Sequence, residues 1–163
     1  MKNFVSGMNL KIIQIIAIFS CIFVQYISYL KEKTFWLDEW FVIYNLKFKT
    51  FAQIVSKNLD FQQQMPTGIW IFYKIFGGLF EYSYLSLRIL PFMAQLIAIF
   101  ILVKYVFKKI GINNLFDQLL YIVAYLACDT TVFYFMQVKQ YSFESLGIVL
   151  GLYQFGLFLE NIV

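Results

Sequence analysis

Residues 12–30 read IIQIIAIFSCIFVQYISYL, nineteen residues without a charge, closed by Lys11 on one side and Lys31 on the other. A helix of that length reaches about 28 Å, close to the roughly 30 Å of a bilayer's hydrocarbon core. A secretory signal has a shorter apolar stretch and a small-residue cleavage site. This run has neither, so it reads as an uncleaved transmembrane helix.

Beyond Lys31 the chain becomes mixed. Lys31, Glu32, Lys33, Asp38, Glu39, Lys47, Lys49, Lys57 and Asp60 alternate with apolar side chains. Leu37, Phe41, Tyr44 and Phe48 recur at helical spacing, as do Phe51, Ile54 and Val55. This predicts amphipathic helices over 37–46 and 50–57, lying in the membrane interface. Trp36, Trp40 and Tyr44 suit the aromatic belt at that depth. Pro66 is placed to open a helix, because its missing N–H is not needed in a first turn. The apolar stretch 67–80 has 14 residues and carries Lys74 and the pair Gly77-Gly78. It is short for a crossing, so an interfacial or re-entrant helix is expected there. Three further apolar stretches follow, 85–107, 115–136 and 142–163, separated by a polar turn at 108–114 and by QVKQY at 137–141. The expected fold is an all-α polytopic membrane protein, a single membrane domain over 1–163. It has about four transmembrane helices, with interfacial juxtamembrane helices in a first external loop at 31–84. The density of lysines at 2–11 and 104–109 favours an internal N-terminus, whereas the raw count of basic residues does not.

Composition agrees. The chain is 61% hydrophobic and 13% charged, against roughly 45–50% and about 25% in soluble domains. The net charge of +4 is spread between apolar segments and Arg88 is the sole arginine, so nucleic acid is not indicated as a partner. There is no histidine. That excludes Ser-His-Asp and Cys-His catalysis and every His-ligated metal site. Acid–base chemistry must come from carboxylates. Cys21 and Cys128 each lie in an apolar run and read as small buried hydrophobes, with no disulfide framework or zinc pattern.

FWLDEWF (35–41) sets Asp38 and Glu39 side by side among bulky apolar residues. Ionised carboxylates are poorly tolerated there unless paired or bound to something. With four spans, the 31–84 loop, the start of the second span and the QVKQY turn fall on one membrane face. Asp38, Glu39, Gln62, Gln63, Gln64, Arg88, Gln137, Lys139, Tyr141 and Glu144 can then converge. Two carboxylates can bind a divalent cation, Mg or Mn, or take a proton from a hydroxyl. Arg88 and Lys139 can hold a phosphate. Plainer readings stand beside these. Asp38 and Glu39 can be the solvated side of an amphipathic helix. Arg88 and Lys139 read equally as a snorkelling cation and a loop lysine. The Gln run reads equally as polar loop, and Glu144 suits the first turn of a helix. Asp129, inside a span, is a functional candidate unless it faces Thr130 and Thr131.

The same stretches resemble the N-terminal part of GT-C-type membrane glycosyltransferases, the superfamily of dolichyl-phosphate-mannose protein mannosyltransferases and their bacterial relatives. FWLDEWF is similar to that family's Asp-Glu motif just after the first span. QQQMPTGIWIFYKIFG resembles its Gln-containing loop and Pro-opened juxtamembrane helix, with Met65 and Thr67 where small residues or proline are common. YLSLRILPFM resembles the Arg-Leu-Pro-like start of the second span. FYFMQVKQYSFE resembles a stretch ending Glu-x-Lys/Arg-x-Tyr, matched at Lys139 and Tyr141 but with Gln137 in place of Glu.

The resemblance implies sugar transfer from a polyprenyl-phosphate-linked donor to an acceptor hydroxyl at the external face, with inversion. It implies Asp38 as general base, and Glu39 as its positioning partner or co-ligand of a metal. It makes Gln64, Arg88, Lys139 and Tyr141 substrate-binding residues, with Arg88 and Lys139 neutralising the leaving phosphate. The implied partners are a lipid-linked sugar and membrane lipids, and the implied location is a bacterial plasma membrane. Family members are much longer, so the chain corresponds to their N-terminal portion. A non-catalytic membrane protein or gene remnant, and a transporter fragment using Asp129 and Lys104, are the competing readings. Coding sequence continuing past Val163 would separate them.

Overall fold

The computed structural model describes residues 35–128 and 137–160, together with Ile12, Ile15, Ile16, Phe19, Ser20, Ile22, Phe23, Val24 and Ile27 of the first apolar run, which are helical. The rest of that run, Cys21 and Asp129 lie outside the described residues. Among the described residues from 35 onward there are seven α-helices.

Helix α1 (Leu37–Phe48) starts where Trp36 is extended. Glu39 reaches back to accept the Trp36 N–H at 2.9 Å. Two acids in the first turn also suit the helix dipole. Lys49 is extended and α2 (Phe51–Val55) follows at once. Its start is a reciprocal capping box: Gln53 N–H donates to Thr50 Oγ1 at 3.3 Å and Thr50 N–H to Gln53 Oε1 at 2.8 Å. A short 3₁₀ turn (Asp60–Gln62) is tied to α1 by buried Asn45. The Asn45 amide accepts the Asp60 N–H at 2.8 Å and donates to the Asp60 carbonyl at 3.0 Å. Helix α3 (Thr67–Leu79) begins after Pro66, which sits one position before the first helical residue. Tyr82 then folds back onto Gly77, where an added Cβ would lie 2.6 Å from its ring.

Helix α4 (Tyr84–Ile101) runs through a π-helical stretch (Leu102–Val106) into α5 (Phe107–Lys109). Together they form a 26-residue apolar helix, about 39 Å long. Helix α6 (Leu115–Ala127) returns alongside it: Tyr121 lies 6.1 Å from Phe107 and Tyr125 accepts a hydrogen bond from Gln95. Helix α7 (Tyr141–Glu160) then runs parallel to α4. Its start adjoins the Arg88 end through Val138, and its far part meets the other end, with Tyr153 5.2 Å from Tyr105. Among the described residues, two helices, Tyr84–Lys109 and Tyr141–Leu159, are long and apolar enough to cross a membrane. Most of α7's apolar surface is uncovered, including Ile148, Leu152, Phe155 and Phe158.

One expectation changes. The stretch 115–136 does not continue as one helix: α6 closes at Ala127, with Cys128 extended and exposed rather than buried. Asp129, Thr130 and Thr131 come next, residue types that compete with helical backbone hydrogen bonds. On α1, Leu37, Tyr44 and Phe48 point outward, while Val42, Ile43, Asn45 and Leu46 are buried with Glu39. The inward face carries Val42, Ile43 and Leu46 at helical spacing, and Glu39 joins it because its partner, Arg88, lies there.

Candidate functional site

Adjacent residues on a helix point about 100° apart, and this separates the two carboxylates. Glu39 is 0% exposed; Oε2 lies 2.7 Å from Arg88 Nη2 and also accepts the Trp36 N–H. Oε1 accepts the Val138 N–H at 2.8 Å. Arg88 is equally enclosed. Its Nη1 donates to the Tyr84 hydroxyl at 2.5 Å, and its guanidinium lies over the rings of Tyr84 (4.2 Å) and Phe35 (5.6 Å). Such stacking suits a planar, weakly hydrated cation. Arg88 is therefore an internal counterion, neither snorkelling nor turned to solvent.

Asp38 faces the other way. Its side chain is 66% exposed, and Oδ2 lies 2.9 Å from Lys139 Nζ. Lys139 is held from behind, since the Tyr73 hydroxyl donates to its backbone carbonyl at 3.4 Å. Tyr73 is fully buried. Burial raises its pKa well above 10.0, with the Glu39 anion adding to the effect, so it remains a neutral donor.

The turn before α7 thus joins everything. Val138 reaches Glu39, Lys139 reaches Asp38, and Gln140 lines a cavity of about 670 Å³ together with Gln62, Gln63 and Gln64. Asp38, Glu39, Arg88 and Lys139 form one cluster. Gln64 belongs to the neighbouring cavity, Gln137 is buried, Tyr141 is half-buried at the start of α7, and Glu144 is exposed in its first turn. Lys104 stands away from the cluster, against Phe100 and Tyr105.

A cation shared by Asp38 and Glu39 does not fit this arrangement. Both Glu39 oxygens are occupied by donors, and among the described residues no group of three or more His, Cys, Asp or Glu side chains gathers. Tyr84 was signalled by its four-residue spacing from Arg88. Tyr73 and the Val138 amide, far along the chain from Lys139 and Glu39 respectively, carried no such signal. No family model, curated protein or solved structure matches the chain.

Proposed function

We propose that this chain is the donor-side membrane module of a glycosyltransferase that moves a sugar from a polyprenyl-phosphate carrier to an acceptor hydroxyl at the membrane surface. The observation that carries the reading is the division of labour at Asp38-Glu39. One carboxylate is exposed and held beside a lysine; the other is buried and braces the elements that present it.

Asp38 is the general base. Its free face can accept the proton of an acceptor hydroxyl as the oxygen attacks the anomeric carbon. Lys139, next to it, neutralises the phosphate that leaves, aided by release of its pairing with Asp38 once that group is protonated. Glu39 and Arg88 hold Trp36, Val138 and hence Lys139 in place. With Asp38 acting as base on the acceptor hydroxyl, the transfer we propose is a single displacement with inversion. No step needs a metal.

The membrane topology is supported by helix directions. Helices α4 and α7 run parallel, so if both cross, the chain between them must return, as α6 does in part. Residues 12–30 are read as a further span and the thirteen-residue α6 as the partial return, making an integral membrane protein with the α1–α3 layer on one face. The exposed Trp36, Trp40 and Tyr44 are suited to the interface of that layer. The partners are a lipid-linked sugar and the surrounding lipids.

The test uses membranes carrying the intact gene product, given labelled polyprenyl-phosphate sugars. Transfer with inverted anomeric configuration is expected. Retention of configuration, or no sugar-dependent product with any donor, would refute the assignment.

A further inference from the structure

Among the described residues, the cavity beside the ion-pair cluster is lined by four glutamines, Gln62, Gln63, Gln64 and Gln140, and by Lys57, with no carboxylate. Each amide both donates and accepts, the pairing that a ring of neighbouring hydroxyls requires. Leu59 and Met65 add an apolar wall, suited to the C–H face of a sugar. The volume of about 670 Å³ is within the usual range for small-molecule sites, about 300–1,000 Å³.

The backbone on one side of the cavity is strained. Lys57 (φ 58), Phe61 (φ 61) and Gln62 (φ 53) adopt the left-handed conformation that non-glycine residues rarely take. Such conformations persist only where surrounding contacts over-determine them, and they gather at binding sites. Here the contacts are visible. Asn45 grips both backbone groups of Asp60, and Lys49 pairs with the Asp60 carboxylate at 2.7 Å. The clamp also engages the Asp60 carboxylate in an ion pair, and Asp60 is not among the described lining residues.

We propose that this amide-lined cavity is the sugar compartment of the site and that it accepts neutral or acidic sugars while rejecting amino sugars. An ammonium entering it would be repelled by the Lys57 charge and would meet no carboxylate partner among the described lining residues. Gln140 follows Lys139 directly, so the compartment adjoins the Asp38 ion pair. The role rests on the sugar-transfer reading above. The sugar chemistry is shared by the donor's glycosyl group and by a glycan acceptor.

The test measures dissociation constants for the intact protein in nanodiscs. The probes are a short prenyl phosphate, its mannosyl derivative, its amino-deoxypentosyl derivative, and free maltotriose. The mannosyl lipid is expected to bind at least about tenfold tighter than the bare or amino-sugar lipid. Gln63→Leu and Gln140→Leu are expected to erase that difference while leaving bare prenyl phosphate binding unchanged. If they weaken maltotriose instead, the compartment serves the acceptor. Lys57→Glu is expected to raise affinity for the amino-sugar lipid about tenfold. Equal affinities for all three lipids, unmoved by Gln63→Leu, Gln140→Leu and Lys57→Glu, with maltotriose binding also unchanged, would overturn the proposal and leave transfer by Asp38 standing. Undiminished turnover in Asp38→Asn, with sugar binding still dependent on Gln63 and Gln140, would refute Asp38 as the base and keep the compartment.

Discussion

Glu39→Gln separates a structural from a chemical role for the acidic pair. Three donors converge on Glu39: the Trp36 N–H at 2.9 Å, the Val138 N–H at 2.8 Å and Arg88 Nη2 at 2.7 Å. Glutamine offers one acceptor oxygen and one NH₂ group in their place, so at least one donor faces another donor. Arg88, 2% exposed, is left as a buried cation without its carboxylate. Breaking a buried pair from one side is destabilising by about 3–5 kcal/mol. For a chain of this length each kcal/mol corresponds to about 2–4 °C in Tm, so a drop on the order of 10 °C is expected. The assay is thermal unfolding of the detergent-purified protein followed by size-exclusion fluorescence. Asp38→Asn is the control, because an exposed pair contributes only about 0–1 kcal/mol. The double variant Glu39→Gln with Arg88→Met should recover much of the loss, since removing both charges leaves none stranded. A Glu39→Gln protein as stable as wild type, or a double variant worse than both singles, would refute the brace.

Tyr73→Phe tests the buried hydroxyl. Because its folded pKa is raised, the folded state holds a proton that the unfolded state loses above 10.0, so stability should fall as pH rises through that region. Comparing unfolding at about pH 9 and about pH 11, Tyr73→Phe should lose less stability than wild type; an identical alkaline loss would contradict this. Gly77→Ala should destabilise by about 1–3 kcal/mol, since the new Cβ would lie 2.6 Å from Tyr82 and 2.9 Å from Leu87. A raised Tm would mean that the α3–α4 turn repacks. Cysteines at Lys47 and Lys109 should be labelled from opposite sides of the membrane, and labelling from one side would refute the crossing of α4.

The helices were legible in the sequence where apolar periodicity and capping agree. The expected 37–46, 50–57 and 67–80 segments correspond to α1, α2 and α3, and 85–107 to α4 with its continuation. What periodicity could not give was which face of α1 turns inward. Two apolar stripes compete there, and the one that turns inward, Val42, Ile43 and Leu46, also carries Glu39, whose partner Arg88 lies 49 residues away. The convergence of Asp38, Glu39, Arg88 and Lys139 followed from counting spans. Their pairing did not, because it is fixed by backbone amides such as Val138 that have no sequence signature. The end of α6 at Ala127 was hidden for a related reason: hydropathy continues past it while helix propensity does not.

The central claim is that Asp38 carries the chemistry while Glu39 carries the structure. Its most direct test is sugar transfer by Asp38→Asn, reconstituted in proteoliposomes at the same folded amount as wild type. A carboxylate base contributes about 10²–10⁴ in rate, so transfer should fall by that factor with insertion and Tm essentially unchanged. Transfer within twofold of wild type, roughly 0.4 kcal/mol in barrier, would contradict the account.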